Sequence, residues 1–327
     1  MMKRRQLLLG ASGALLGGNA LAQTAAPAPL DSARILVGFV PGGLSDVIAR
    51  RLADRLRGGY AGSVIVDNRP GASGQIALSA LKDAPADGSV LGLTHSSALA
   101  MYPFTFKKLP YDPQKDFQPV SLVCHTNHAL CVGPAVPASV KTVKEFLAWC
   151  KEHPDKSNYG SPGVGSMPHL IMTVVNYTAK SDVQLVAYKG TAAAITDLLG
   201  GQISAASGPL GNFLPQVRAG KLRLIATSGD SRSGQAPDIA TYREQGFPLT
   251  AREWYGLYLP AKATRAAVER ASAQAQAAVG DAGVHDALQQ AGVDVASSTP
   301  ATLASMLEAD TLEWRRLTRE IGFTAES

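Results

Sequence analysis

The sequence predicts an α/β protein of two lobes, on three observations. Strand-like apolar runs alternate with helix-like runs along most of the chain, which argues for mainly parallel sheets covered by helices. Two extended stretches, 118–132 and 254–259, interrupt that alternation and are suited to crossing from one lobe to the other. Once an N-terminal segment is set aside, about 300 residues remain, more than one core comfortably fills.

Arg34 to Val40 reads as a buried strand. Leu44, Val47, Ile48, Leu52 and Leu56 follow helical spacing, and Gly58-Gly59 ends that helix. Ser63 to Val66 is the next strand, followed by a Gly-rich turn at 70–74, a helix from Gln75 to about Lys82, and a third strand, Val90 to Thr94. Pro103, Pro110, Pro113 and Pro119 break regular structure across an ordered-looking surface crossing. Val143 to Lys151 is helical and Ser157 to Ser161 a strand. Leu170, Ile171, Val174 and Val175 mark a helix face, Val183 to Tyr188 a strand, and Thr191 to Leu199 a helix stopped by Gly200. Ile203 to Ser207, Phe213 to Val217 and Leu222 to Thr227 repeat strand, helix, strand. After the crossing at Trp254 to Leu259, two helices close the chain, one near 265–279 and one near 303–321.

Lys3, Arg4 and Arg5, an apolar run to Leu16 and the Ala20-Leu21-Ala22 site have the form of a secretory signal cut before Gln23. The run is too short to span a bilayer. Arg4-Arg5 leaves Sec and twin-arginine export both open. Losing residues 1–22 lowers the formal charge by three, from +5 to +2, so there is no electrostatic case for nucleic acid or an anionic membrane. Three cysteines, an odd and small number, do not describe a disulfide scaffold. If 122–132 is one strand, Cys124 and Cys131 lie about 23 Å apart, beyond bridging; they pair only if Thr126-Asn127 turns. Cys124, His125, His128 and Cys131 suggest a metal on paper, but strand alternation scatters them over two faces, and no metal or other cofactor is expected.

Three loops share one design of strand, Gly-rich turn and helix start: Pro41-Gly42-Gly43-Leu44-Ser45, Ser161 to Ser166, and Lys189-Gly190-Thr191. Each helix start offers unpaired N–H groups and the positive end of a dipole. Glycine permits close approach of an anion, and Ser or Thr adds a hydroxyl. In open α/β sheets such loops gather at the carboxyl ends of strands, where ligands bind. The loops hold no arginine, so neutral donors would carry recognition. Asp46 reads as a first-turn carboxylate complementing its helix. Trp254 and Tyr255 read either as hinge aromatics or as cover for an apolar ligand body.

VPGGLSDVIARRLADRL (40–56), VDNRPGASGQIA (66–77), KLPYDPQKDFQPVSLV (108–123), NYGSPGVGSMPHL (158–170), AYKGTAAAITDLLGGQ (187–202), RAGKLRLIATS (218–228) and EWYGLYLPA (253–261) run through nearly the whole mature chain. In these segments the sequence resembles the extracytoplasmic receptors of tripartite tricarboxylate transporters, the Bug family. The resemblance implies a type II periplasmic binding protein fold with two α/β lobes joined by two crossings: lobe 1 from 30–126 plus 254–327, lobe 2 from 127–253. It also implies a monomer that captures a small carboxylate without catalysis and hands it to membrane permease subunits, or reports it to a membrane sensor. An exported hydrolase is the remaining alternative, although the chain has no G-x-S-x-G, H-E-x-x-H or Walker A motif.

Family ligands sit on the first-lobe Pro-Gly-Gly loop and on second-lobe loops, which carries over to Gly42 and Gly43 on one side and Ser166, Gly190 and Thr191 on the other. With their neighbours, the candidate contacts are Pro41, Gly42, Gly43, Ser45, Ser96, Ser97, Ser161, Gly165, Ser166, His169, Tyr188, Gly190, Thr191 and Ser207. Two departures stand out. Ser166 replaces a usual Thr, and Gly208 stands where many members carry an acidic residue. An amino group would lose its counter-ion there, so the expected ligand is a carboxylate without an amine. Calorimetry should therefore find succinate and glutarate bound more tightly than aspartate and glutamate; the reverse order refutes this expectation.

Overall fold

The computed structural model describes residues 28–320 and 322; the expected export signal lies outside the described residues. The chain opens with β1 (Leu30–Val37), α1 (Leu44–Leu56), β2 (Ala61–Asn68), α2 (Gln75–Lys82) and β3 (Val90–His95). Leu44, Ile48, Leu52 and Leu56, spaced by four, bury one face of α1. β1 pairs in parallel with both β2 and β3.

The proline-rich passage carries regular structure that the prolines argue against. It begins with two short helices, α3 (Ser96–Ala100) and α4 (Tyr102–Thr105), with Pro103 in the first turn of α4, where its missing N–H costs nothing. Then comes β4 (Phe117–Val132), a strand of 16 residues. Thr126 and Asn127 continue it without a turn, and Cys124, Cys131 and Cys150 are free and buried.

The second half contains α5 (Val143–Glu152), β5 (Asn158–Ser161), α6 (Met167–Ala179), β6 (Gln184–Ala187), α7 (Thr191–Leu199), β7 (Ala205–Pro209), α8 (Leu210–Arg218) and β8 (Arg223–Thr227). β5 pairs in parallel with β6 and β7. The return crossing is β9 (Arg252–Pro260). It is followed by α9 (Arg265–Val279), α10 (Ala282–Gln290), β10 (Asp294–Val295) and α11 (Pro300–Glu320). The sequence reading had passed over α10 and β10; α10 buries only Val284 and Leu288, too few apolar positions to show a period.

The strand order is β2-β1-β3-β9-β4-β7-β5-β6, with β8 and β10 also on β4. The outer strands of each half are parallel, whereas both crossings run antiparallel to their neighbours. β4 belongs to both halves: residues 117–127 pair with β9, and 128–132 pair with β7, with β8 alongside from 129.

The crossings are pinned where β4 changes partners. Ser228, fully buried, accepts the His128 N–H through its hydroxyl at 2.8 Å and donates to the Ala251 carbonyl. Its backbone N–H reaches the His128 carbonyl at 2.8 Å, and Ala251 N–H reaches the Ser228 carbonyl at 2.7 Å. Ser228→Ala strips partners from two buried backbone groups at once, which should destabilise the fold by about 2–4 kcal/mol. A lowered urea midpoint checks it; an unchanged one means this pin is dispensable.

Candidate ligand-binding cleft

The carboxyl ends of β1, β3, β5, β6 and β7 meet around one narrow cavity of about 30 Å³. The first half contributes Phe39, Val40, Gly43, Leu44 and Ser45 after β1, and His95 and Ser97 at the end of β3. The second half contributes Pro162, Ser166, Met167 and Pro168 after β5, then Gly190, Thr191 and Ala192 after β6, then Pro209 and Asn212 after β7. The crossings supply His128 from β4, and Glu253 and Tyr255 from β9. The halves also touch directly. Ser73 donates to the Val164 carbonyl at 3.2 Å, and Thr105 donates to the Gly165 carbonyl at 3.2 Å.

Four helices begin on this cavity: α1 at Gly43, α6 at Ser166, α7 at Gly190 and α8 at Pro209. None has a side chain capping its first turn. Unpaired N–H groups and positive dipole ends therefore converge from both halves. No lysine or arginine lines the wall; Phe39, Val40, Leu44, Met167 and four prolines or aromatics around them make most of it apolar.

Of the residues singled out from sequence, Gly43, Ser45, Ser97, Ser166, Gly190 and Thr191 lie on this wall. Pro41, Gly42, Ser96, Ser161, Gly165, His169, Tyr188 and Ser207 do not, and all of these but Pro41 have a polar group engaged within the fold. The Gly42 N–H is taken by the Asp46 carboxylate at 3.0 Å, which also accepts from Arg50 at 2.9 Å and Asn68 at 3.0 Å. Burial pushes the Asp46 carboxyl upward, and those three donors outweigh burial and hold it below the usual range. Asp46 thus does more than complement its helix: it ties down the Pro-Gly-Gly loop. Ser96 faces the Trp254 N–H at 3.4 Å. Ser161 bonds Ser166 at 3.2 Å, and the Gly165 N–H donates to His169 Nδ1 at 2.9 Å. Tyr188 donates to Asp197 at 2.7 Å, and Ser207 to the Pro168 carbonyl at 3.1 Å. Gly208 is a matched departure: a Cβ there would stand 2.7 Å from Thr191 Cγ2.

The sequence reading expected neutral donors alone and missed the titratable cluster on this wall. In the sheet register Thr126 faces Glu253 and His95 faces Tyr255. Side chains two apart on a strand share a face, so His128 and His95 flank Glu253 diagonally from either side. His95 Nδ1 stands 3.1 Å from Glu253 Oε1, and His128 Nε2 stands 3.1 Å from Oε2 without a hydrogen-bonding angle. Ser97 donates to Glu253 Oε1 and lies 2.7 Å from His95 Nδ1. Burial pushes the Glu253 carboxyl upward, and the charge of His95 with the contacts of His128 overrides it, holding the group well below the carboxylate range. The remaining His125 of the suspected metal set lies off this wall, and burial, with Arg252 beside it, lowers it to about 4. Among the described residues no group of three His, Cys, Asp or Glu side chains is arranged to hold a metal.

Comparison with known proteins follows the same lines. The family described as the tripartite tricarboxylate transporter family receptor matches residues 48–323. BugT of Bordetella pertussis is 29% identical over 310 residues, covering 93% of this chain and 94% of BugT. The periplasmic binding protein BugD superposes with a TM-score of 0.85 at 26% identity, over 90% of this chain and 99% of that one. The R. palustris protein Rpa4515, solved with adipate, superposes with a TM-score of 0.84 at 26% identity, over 90% and 98%. Since the match runs through both halves of the fold and the strands that join them, the chain belongs to the tripartite tricarboxylate transporter family of receptors, periplasmic binding proteins with two lobes.

Proposed function

We propose that this protein captures a small carboxylate without an amino group between its lobes, lobe 1 being 30–126 plus 254–327 and lobe 2 being 127–253. The observation that carries the reading is the convergence of four uncapped helix starts, from both lobes, on one cavity without lysine or arginine. Such ends favour negative charge, while the apolar remainder of the wall suits a hydrocarbon body. The adipate bound by Rpa4515 has that chemistry, a methylene chain between carboxylates. No acidic group is left to receive an amine: position 208 is glycine, and both oxygens of Glu253 face histidines.

Contacts to both lobes stabilise the closed form, and a membrane partner, permease subunits or a sensor, reads that form. Export by residues 1–22 places the chain where such a partner can meet it. The geometry speaks against the hydrolase alternative. Ser97 and Glu253 both face Nδ1 of His95, whereas a nucleophile–base–acid relay needs the two partners on opposite ring nitrogens.

A thermal-shift screen tests the reading. Apolar mono- and dicarboxylic acids at a hundredfold excess over Kd should raise the melting temperature by about 5 °C or more. A protein stabilised by sugars or amines and by no acid would sink it. Gly43 has ordinary extended angles, φ −75° and ψ 167°, and a Cβ there meets only the Val40 carbonyl at 3.5 Å. Gly43→Val should therefore abolish the ligand-induced shift while moving the melting temperature of the free protein by no more than about 2 °C. Loss of folding in this variant assigns Gly43 a purely structural role.

A further inference from the structure

We propose that Glu253, His95 and His128 form a proton-loading seat in the cleft, in which one histidine compensates Glu253 and the other takes up a proton when the ligand's anionic group enters. The inference rests on the carboxylate reading above and says how that anion is neutralised.

The cluster sets one carboxylate against two imidazoles. Their side chains are 4% exposed for Glu253, 7% for His95 and 1% for His128, and all three line the cavity. A carboxylate this buried is expensive to keep without a positive partner, so one imidazole is charged. A second imidazolium would be an uncompensated charge in a dry wall, so it stays neutral until a second anion arrives. The ring atoms agree with a seat left incomplete. His95 Nε2 and both ring nitrogens of His128 are buried and have no hydrogen-bond partner. Buried polar atoms are nearly always paired, and both rings stand on the wall where the four helix starts would bring the anion.

The surroundings leave the charge change to these three groups. His95 is edged by Tyr102 and Tyr255. Burial first, then the charge of Glu253 among other neighbours, raises both phenols well above their usual range. Cys124, on β4, is likewise raised by burial and to a lesser degree by Glu253. Asp310, from α11, is bonded to Trp254 Nε1 at 2.7 Å, and burial raises it; it is not on the cavity wall. Beside His128, β7 and the start of α8 contribute Pro209 and Asn212, which do not titrate.

The sign follows from linkage. The complex holds one more proton than the free protein, so affinity rises as pH falls and levels off once the free protein is itself protonated. Titration calorimetry with adipate and benzoate tests this between pH 6.5 and 8.5, where both probes stay ionised, in two buffers of different ionisation enthalpy. The expected result is uptake approaching one proton per ligand at the alkaline end. Affinity should fall there by up to tenfold per pH unit. Either His128→Gln or His95→Gln should bind more weakly and take up no proton; a merely structural role would leave the uptake intact. Binding whose affinity is flat with pH and whose heat is the same in both buffers overturns the proposal and leaves the carboxylate reading standing. Failure of any carboxylic acid to bind at pH 6.5 removes both.

Discussion

The sixteen residues of β4 must satisfy their backbone groups in two sheets at once. A buried N–H or C=O cannot be left unpaired cheaply, so the exchange of partners after Asn127 fixes how the halves meet. The parallel strands of each half then end at the same gap, and the helices that follow them start there. The cleft results from that arrangement and needs no dedicated wall. The buried hydroxyl of Ser228 sits at the exchange point, which makes the junction of the halves a bonded joint rather than a slack linker.

Charge in the cleft follows from the same geometry. Helix starts are positive because of their peptide dipoles, and they attract an anion without a basic side chain. Glu253 is the exception that requires explanation, being a carboxylate on a wall that the helix starts make positive. Its two histidine neighbours come from strands on either side, so each oxygen of the carboxylate faces an imidazole. The family resemblance alone would have suggested only neutral donors.

Most of the fold was legible in the sequence because period and punctuation were clear. α2, α7 and α9 begin and end where apolar spacing, Gly and helix-starting residues say they should. The helix α4 was hidden by Pro103, whose position suits a first turn as well as a break. The cleft was legible at its glycine loops, since a loop carries its own chemistry locally. It was not legible at Glu253, His95 and His128, which lie far apart in the chain. They meet only through strand register, a property that no single segment displays. Gly42 was misplaced for a related reason: glycine marks a backbone position but does not say which acceptor, here Asp46, will claim its N–H.

That claim by Asp46 separates two jobs that are often confounded in receptors. The order of the Pro-Gly-Gly loop is secured beneath the cleft by Arg50, Asn68 and Gly42 acting on one carboxylate. The surface above, from Phe39 and Val40 to Met167, lines the cavity without holding the loop in shape. On the proposed reading, a lineage exchanges one cargo for another by altering those side chains alone, while the foundation beneath the loop is inherited unchanged.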